Sequence, residues 1–358
     1  MDIQVIELSN SLWLNTLKQI RHDIYHLPEY VCLEAKRTKT TAEAILIVAD
    51  ELIFFVPYLL RQCNDIFNQE SISQDIFDAV SPYGYPGILL SEAAASSPDF
   101  LELAMKQLIS VLREKKVVSA FFRLHPILNQ SLYQQFSNLC HVNGETVSIN
   151  LTLSNAEIWQ QTRSEHRTHI NRCDRAGFKA RIVPFEEYID EFIIIYKETM
   201  ERVQAQQMYY FDYQYFTELA NLREKIYLCL LDLNGEVACG GLFTECCGIV
   251  EYHLGGTKKE FLKNSPSKLM FNYVRCWAKE RGNQVFHLGG GVGGTKDSLY
   301  RFKAGFSKQT HTFMTMRLIT NENIYRQLVD FQAKSLKIGT EKLFSTNYFP
   351  AYRCLNFQ

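Results

Sequence analysis

Apolar and polar positions along the first half of the chain predict a hairpin followed by helices and a strand. Two apolar runs, at 44–49 and 52–59, are separated by a short acidic turn, which is typical of paired strands. A helical period over 100–113 and again over 128–139 flanks a strand-like run at 117–124. The first half therefore mixes strands with helices.

The second half has a longer series of the same elements. A polar turn at Asn234 and Gly235 lies inside a meander, and Ser265 with Pro266 is a typical helix start. The predicted elements are a strand at 147–153, a long helix ending near 177, strands at 226–231, 237–243 and 248–254, a helix at 265–281, a strand at 284–288, a short helix at 297–304 and a strand at 311–318. This order indicates an α+β (mixed α/β) fold without regular βαβ alternation. We find no fixed-period repeat, but the hairpin-helix-strand order shared by the halves leaves an ancient duplication open.

Size and charge narrow the class of protein. A chain of 358 residues exceeds the size at which one core usually keeps growing, so we expect two domains. Hydrophobic residues make up 46% and charged residues 22%, which leaves disorder, collagen-like repeats and coiled coils without support. The formal charge of −1 provides no global positive field, so a polyanion must meet a local basic patch.

The N-terminal sequence and the apolar runs bear on localisation. The start, MDIQVIELSN, carries an acid at position 2 and no basic residue before Lys18, unlike a secretory leader. The most apolar stretch, 44–60, is interrupted by Asp50 and Glu51 and is too short and too charged to span a bilayer. We expect a cytoplasmic protein without integral membrane association.

The ten cysteines do not indicate a metal or disulfide framework. They form no CxxC pair and lie mostly in apolar surroundings, which favours buried thiols. The neighbours Cys246 and Cys247 have poor geometry for a disulfide, and a zinc site would need paired spacings. We therefore expect no metal site.

A glycine-rich segment follows the strand at 284–288. It formally satisfies GxGxxG, yet it opens only a short helix and has no acidic residue about 20 positions further on, so it is a weak dinucleotide signal. Such a run must bend sharply or approach another group closely, and either tight packing or a ligand-facing loop satisfies this. The candidate ligand-facing residues are Gly289, Gly290, Gly291, Gly293 and Gly294.

Two charged features accompany this segment. Lys303 lies among aromatic residues in SLYRFKAGF, so it is either a fixed cation for a phosphate or developing oxyanion, or an exposed lysine whose stem covers apolar surface. The segment 163–181 carries a local charge of +4, with Arg163 and Arg167 on one helix face and Arg172 further along. Such a patch suits a diphosphate or an RNA backbone, and a solvated helix face is the alternative.

The end of the strand at 248–254 is another candidate. Tyr252 and His253 lead into Gly255 and Gly256, and side chains at such an end often border a cleft. A packed tyrosine and a satisfied core histidine are the alternative.

Several of these segments together resemble the FemABX family of aminoacyl-tRNA-dependent peptidyltransferases and its GNAT-type acetyltransferase relatives. In the first half, DIYHLPEY (23–30) and SPYGYPG (81–87) are similar to family segments. In the second half the similar segments are YHLGGT (252–257), SPSKLMFNYVRCWAKERG (265–282), FHLGGGVGG (286–294) and SLYRFKAGF (298–306). The resemblance covers nearly the whole chain.

The resemblance implies two GNAT-like lobes, each a mostly antiparallel mixed sheet flanked by helices. We place an N-terminal lobe at 1–146, an acyltransferase lobe at 147–337 and a tail at 338–358. It further implies an amine that attacks an activated carboxyl carried by tRNA, so that an amide forms on a peptide or cell-wall (peptidoglycan-type) precursor. The oligomeric state stays open.

The resemblance also assigns roles to residues. Phe302 and Lys303 correspond to the pair that meets the aminoacyl end, and Tyr252 with His253 would line the acyl cleft. His253 is a candidate base, with substrate-assisted or water-mediated proton transfer as the alternatives. The residues predicted to bind substrate are Arg163, Arg167, Arg172, Lys268, Tyr83, Tyr85 and the five glycines at 289–291 and 293–294.

One departure concerns the donor. The RxxGxG/A pyrophosphate loop of CoA-using GNAT enzymes is absent, and SPSKL occupies its expected place. We therefore expect no cofactor and a tRNA-borne donor, with acyl-CoA or an acyl carrier protein as the alternative donor. A non-catalytic protein that binds peptide or RNA is a third possibility.

Overall fold

The fold is given by a computed structural model, which describes residues 1–64, 66 and 75–355. Contacts divide the chain into two compact units. Unit 1 is Met1–Val142 together with the described part of the segment from Met314 onward, and unit 2 is Asn143–Phe313.

Strands and helices alternate through both units. The strands are β1 (Asp2–Glu7), β2 (Thr41–Ala49), β3 (Leu52–Gln62), β4 (Phe77–Val80), β5 (Leu89–Leu90), β6 (Val117–Arg123), β7 (Cys140–Asn150), β8 (Lys179–Val183), β9 (Ile226–Leu233), β10 (Glu236–Cys246), β11 (Ile249–Thr257), β12 (Val285–Gly290) and β13 (Thr310–Ile319). The α-helices are α1 (Ser11–Leu17), α2 (Pro28–Thr38), α3 (Glu92–Ala95), α4 (Pro98–Glu114), α5 (Gln130–Gln135), α6 (Asn155–Gln161), α7 (Ser164–Arg175), α8 (Ile189–Arg202), α9 (Tyr213–Ala220), α10 (Ser267–Glu280), α11 (Ser298–Lys303), α12 (Glu322–Leu336) and α13 (Thr340–Phe344).

The sheets of the two units follow one plan. In unit 1 the strand order is β1-β2-β3-β4-β6, followed by the part of β13 in that unit, and β5 pairs with β3. In unit 2 the order is β7-β12-β11-β10-β9-β8. The main strand order of each sheet is antiparallel except for one pair, β4 with β6 in unit 1 and β11 with β12 in unit 2. The predicted α+β class, with mostly antiparallel mixed sheets flanked by helices, is confirmed.

Helical periodicity explains how helices cover these sheets. In α4, Leu101, Met105 and Leu108 recur at helical spacing and join one core cluster with Ile45 and Phe54 of the unit 1 sheet. Because Ile45 and Phe54 are apolar as well, the contact between α4 and the sheet excludes water. The hairpin predicted at 44–59 is thus covered by the helix predicted at 100–113.

Helices lie on both faces of the unit 2 sheet. A Cβ at Gly240 would approach Phe192 of α8, whereas a Cβ at the next position, Gly241, would approach Met270 of α10. Because successive strand residues face opposite sides, α8 and α10 lie on opposite faces. This arrangement determines which side chains of β11 face each helix.

The single long helix predicted to end near Gly177 is two helices, α6 and α7. Thr162 and Arg163, between them, have extended backbone angles, and the N–H of Arg163 donates to the carbonyl of Gly305 at 2.7 Å. A contact distant in sequence thus replaces a helical hydrogen bond, which the local pattern does not reveal.

The observed units differ from the predicted lobe boundaries. The sequence-based division assigned 147–337 to the second lobe and 338–358 to a tail, whereas the segment from Met314 onward groups with unit 1. The reason is packing: Tyr325, Leu328 and Tyr352 are buried in one cluster with Val118 of β6. Residues 356–358 of the predicted tail lie outside the described residues.

The helices in the described part of the chain are short or carry charged residues. No helix there combines the length and the apolar character needed to cross a bilayer.

The C-terminal segment provides a test of unit 1. Tyr352 is 1% exposed, and its hydroxyl group lies 2.6 Å from Ser119 Oγ and 3.3 Å from Asp78 Oδ2. Tyr352→Ala should lower the free energy of unfolding by about 3–5 kcal/mol, because it leaves a cavity and unpaired polar groups. Tyr348, 54% exposed, supplies the control, since Tyr348→Ala should cost no more than about 0.5 kcal/mol. If urea-induced unfolding showed the same loss of unfolding free energy for both variants, this packing of Tyr352 would be contradicted.

Candidate active site

The parallel pair β11 and β12 opens into a gap at its C-terminal end. Backbone pairing joins only 249–251 to 285–287, although β11 continues to Thr257 and β12 to Gly290. On its other side β12 has a register shift against β7 between His287 and Gly289, and Gly289 has a φ of 75°. The bulge at Gly289 bends β12 away from its neighbour, so the strands part after Glu251.

Lys303 lies at this opening. It is the last residue of α11 and is 6% exposed. Its Nζ donates to the carbonyl of Gly290 at 2.7 Å and lies 5.5 Å from the ring centroid of Tyr252. One cation thereby contacts both diverging strands, β12 at its last residue and β11 at the first residue beyond the paired positions. The alternative of an exposed lysine does not apply.

Burial changes the acidity of this lysine. Desolvation lowers the pKa of Lys303 to about 8, while the carboxylates of Glu251 and Asp297 oppose the shift. Asp297 also caps α11 by accepting the N–H of Tyr300 at 2.8 Å. The short helix thus has a defined start, and its last side chain is fixed at the gap.

Aromatic rings surround the lysine. Tyr252 packs on Phe271 of α10 with ring centroids 4.7 Å apart, and Phe302 meets the same Phe271 ring edge-on at 5.2 Å. Burial raises the pKa of Tyr252, so its hydroxyl group stays protonated at neutral pH. Phe302 and Tyr252, both predicted site residues, therefore meet through Phe271 beside Lys303.

The start of α7 is joined to the end of α11. His166 is buried, and its Nε2 donates to the carbonyl of Phe302 at 2.9 Å. Burial lowers the pKa of His166, which favours the neutral ring. Gly305 admits this contact, because a Cβ there would lie 2.2 Å from His166 Nε2.

The glycine-rich loop is mainly a packing element. A Cβ at Gly290 would lie 2.7 Å from Glu145 O, at Gly291 2.1 Å from Thr295 O, and at Gly294 2.1 Å from Asn143 O. Gly289 forms the bulge, and a Cβ at Gly293, with a φ of 61°, would meet nothing within 4 Å. Close packing accounts for Gly290, Gly291 and Gly294, whereas Gly293 has open space beside it, so ligand binding by the loop stays a prediction.

The predicted basic residues have different environments. Arg163 and Arg172 are exposed and Arg167 is half-buried, all at or within α7. Lys268 is buried, and its Nζ lies 2.7 Å from Glu165 Oε1. Lys268 therefore pairs with a protein carboxylate and links α10 to α7, while the role of the arginines in phosphate binding stays a prediction.

The structure does not bring His253 together with Tyr252. Tyr252 faces α10, whereas the Nε2 of His253 lies 3.3 Å from the hydroxyl group of Tyr215 in α9. Neighbouring strand residues face opposite sides of a sheet, so a single cleft face does not contain both. The proposed role of His253 as a base stays untested.

Tyr83 and Tyr85 lie in unit 1. The carbonyl of Tyr83 accepts the hydroxyl group of Tyr30 at 3.2 Å, and its N–H donates to Glu34 Oε2 at 3.2 Å. The ring of Tyr85 packs edge-on against Tyr25 with centroids 6.0 Å apart. These contacts hold SPYGYPG against DIYHLPEY, and substrate binding by either tyrosine stays a prediction.

Sequence reasoning missed a buried acid–histidine pair at the base of the gap. Glu251 and His287 occupy the last paired position of β11 and β12, and both carboxylate oxygens lie 2.7 Å from His287 Nδ1. Both side chains are almost wholly buried. The sequence did contain a signal for this pair, because each of the two apolar strands holds one ionisable residue. Such residues are rarely buried unless they are paired.

Comparison with known proteins defines the class. Residues 160–304 match the family described as Acetyltransferase (GNAT) domain, a range that lies inside unit 2 and includes Lys303. Over this range the chain is therefore similar to acyltransferases of the GNAT class. The prediction that the chain is an acyltransferase is confirmed.

Solved structures extend the likeness to about nine tenths of the chain. The crystal structure of FemX is 13% identical with a TM-score of 0.70, covering 90% of this chain and 99% of FemX. L-PGS from Bacillus licheniformis is 14% identical with a TM-score of 0.55, covering 93% and 98%. The C-terminal domain of a putative lysylphosphatidylglycerol synthetase from Agrobacterium fabrum is 13% identical with a TM-score of 0.55, covering 90% and 93%. No curated protein sequence matches the chain. The predicted FemABX- and GNAT-like fold is confirmed.

Two glycines with the same backbone conformation test the loop packing. Gly294 has a φ of 82° and its Cβ would meet Asn143 O, whereas Gly282 has a φ of 81° and nothing within 4 Å. Gly282→Ala should cost about 1–2 kcal/mol from backbone strain alone. Gly294→Ala should cost at least about 1 kcal/mol more, because the backbone must also move. Equal shifts in the urea midpoint would show that the loop is not tightly packed.

The pKa of Lys303 predicts a pH-dependent stability. The folded-state pKa of about 8 lies below the ordinary value of 10.5, so the unfolded chain binds more protons between these values. Stability should therefore rise by about 3 kcal/mol from pH 8 to 10.5 through this group, and fall as pH drops through 8. Lys303→Met should remove this rise from the unfolding free energy. A variant with the same pH profile as the parent would refute the burial of a titrating lysine.

Proposed function

We propose that this protein is an N-acyltransferase that moves an aminoacyl group from charged tRNA to an amine on a peptide or cell-wall-like precursor. The FemABX resemblance supports this donor and acceptor, and the likeness to FemX covers 90% of the chain. One further similar structure has a name that denotes a lysyl group joined to a lipid. Charged tRNA is a cytoplasmic substrate, so we place the protein in the cytoplasm.

The observation that carries the proposal is the buried Lys303 at the gap between β11 and β12. When an amine attacks the ester carbonyl, negative charge develops on the carbonyl oxygen. A cation held in a poorly solvated site stabilises this charge more strongly than one in water. The hydrogen bond to Gly290 uses one of the three ammonium protons, so donors remain for the oxyanion.

The reaction balances without a redox partner. The C–N bond of the amide forms, the ester C–O bond breaks, and one proton passes from the attacking amine to the tRNA hydroxyl oxygen. Because the ester is already activated, positioning supplies much of the rate. The proton passes through the substrate or through water, because His253, the other candidate base, faces the opposite side of β11 from Tyr252. Phe302 provides an apolar wall for the aminoacyl end.

Half-buried Arg167, with exposed Arg163 and Arg172, supplies the anion contacts in this proposal. Guanidinium groups bind phosphate oxygens in pairs, which suits a diphosphate-bearing acceptor or the tRNA backbone. α7 is fixed to α11 through His166, so these arginines have a constant position relative to Lys303.

The start of α10 favours a tRNA donor over CoA. A CoA site needs free backbone N–H groups and positive potential at this helix start. Here Pro266 has no N–H, and Glu165 places a carboxylate 2.7 Å from Lys268 Nζ. Both features weaken binding of a pyrophosphate. An acyl carrier protein as donor remains the alternative.

Single-turnover transfer from charged tRNA tests the proposal. Lys303→Met should lower the rate about 10²–10³-fold, since it removes the cation that stabilises the oxyanion. Phe302→Ala should also lower it, by weakening contact with the aminoacyl end. Lys308→Met is the control, because Lys308 is exposed, and it should keep the parental rate.

Two results would contradict the proposal in different ways. Parental rates in both Lys303→Met and Phe302→Ala would show that the site is elsewhere. Acyl consumption from CoA or a carrier protein, with none from charged tRNA, would overturn the donor and leave the site standing.

A further inference from the structure

The hairpin between β10 and β11 has an unusual turn residue. Cys246 pairs with Ile249, so Cys247 and Gly248 form a two-residue turn with φ values of 44° and 77°. The neighbouring hairpin of the same sheet has Asn234 and Gly235 with φ values of 51° and 86°. Asparagine is common in this left-handed conformation, whereas cysteine has no such preference. Backbone preference therefore does not explain Cys247.

The two thiols of this turn lie side by side. Their Sγ atoms are 4.0 Å apart, with Cys246 buried and Cys247 exposed. With metal–sulfur bonds of about 2.3 Å, this separation corresponds to an S–metal–S angle of about 120°. The angle lies between tetrahedral and linear values, so both sulfurs reach one ion with little movement.

The surroundings hold the turn in place. Arg281 donates to both carboxylate oxygens of Glu245, at 2.7–3.0 Å, and to the hydroxyl group of Tyr227. Asn283 also contacts Glu245. Glu245 directly precedes the thiol pair, so the strand end that presents the sulfurs is fixed by several hydrogen bonds.

We propose that Cys246 and Cys247 form a two-thiolate site for a soft monovalent ion, Cu(I). Thiolate ligands select such ions over hard cations, and two thiolates satisfy an ion of low coordination number. On binding, both S–H groups release protons to solvent and two S–Cu bonds form, with no change in oxidation state. The site directly precedes β11, whereas Lys303 contacts Tyr252 within that strand, and the proposal does not rest on the proposed function.

Anaerobic titration of the reduced full chain with Cu(I), against a chromophoric Cu(I) chelator, tests the site. The parent protein should retain one equivalent of Cu(I) per chain in native mass spectra. Cys247→Asn should lower the Cu(I) affinity at least about a hundredfold, because the second sulfur is lost. Asparagine suits the turn, so this variant should unfold at the same temperature or higher. Cys276→Ser, at a half-buried cysteine in α10, should bind as the parent does.

Each opposite result counts against the proposal. Retention of Cu(I) by Cys247→Asn at parental affinity would place the ion at other cysteines. Loss of Cu(I) binding in Cys276→Ser would also show that the ion is bound by cysteines other than the proposed pair. A parent protein that retains no Cu(I), or one that binds it only as a bridged dimer, would show that the pair is not a site within one chain.

Discussion

The bulge at Gly289 is the backbone constraint on which the candidate site depends. A residue with a side chain would resist the φ of 75° found there, and without the register shift β12 would continue beside β11. Instead the strands part after Glu251 and His287, and the carbonyl of Gly290 accepts a hydrogen bond from the Nζ of Lys303. A local backbone feature thus creates both the opening and the acceptor that fixes the cation.

The position of Lys303 is costly to folding, and this supports a functional role. Burial of an ammonium group disfavours its charged form, and this cost lowers the pKa of Lys303 to about 8 although Glu251 and Asp297 oppose the shift. A methionine of similar length would fill the same space without the cost of burying a charge. Perturbed groups of this kind concentrate at functional sites, where the same low polarity strengthens their effect on a developing charge. The pKa still leaves most of the lysine protonated at neutral pH.

The sequence predicted the elements that carry the candidate site, but it did not predict helices such as α8 and α12 or the features that depend on distant contacts. Periodicity and turn residues predicted the meander at 226–254 and the helix that follows, because these elements depend on local spacing. The break at Thr162 and Arg163 depends on Gly305, and the grouping of the segment from Met314 onward with unit 1 depends on packing around Tyr352. Neither contact leaves a local signature.

The same distinction applies to the candidate site. The motifs identified Lys303, Phe302 and Tyr252, which the structure brings together around Phe271. His253 and Tyr252 face opposite sides of the sheet, as expected for neighbouring residues of one strand. The pairing of Glu251 with His287 needed the register of β11 and β12, which a single sequence does not provide.

Three contacts turn the helix ends of unit 2 into one rigid assembly. His166 binds the carbonyl of Phe302, the N–H of Arg163 binds Gly305, and Glu165 binds Lys268. The basic face of α7 is therefore fixed relative to the cation at the gap, although α7 and α11 are far apart in sequence. Because a transfer reaction gains most from fixed distances between its groups, this assembly matters more than any single arginine on it. The carboxylate of Glu165, which holds α10 in the assembly, is also the group that opposes a pyrophosphate at that helix start, so the same contact that provides rigidity restricts the donor.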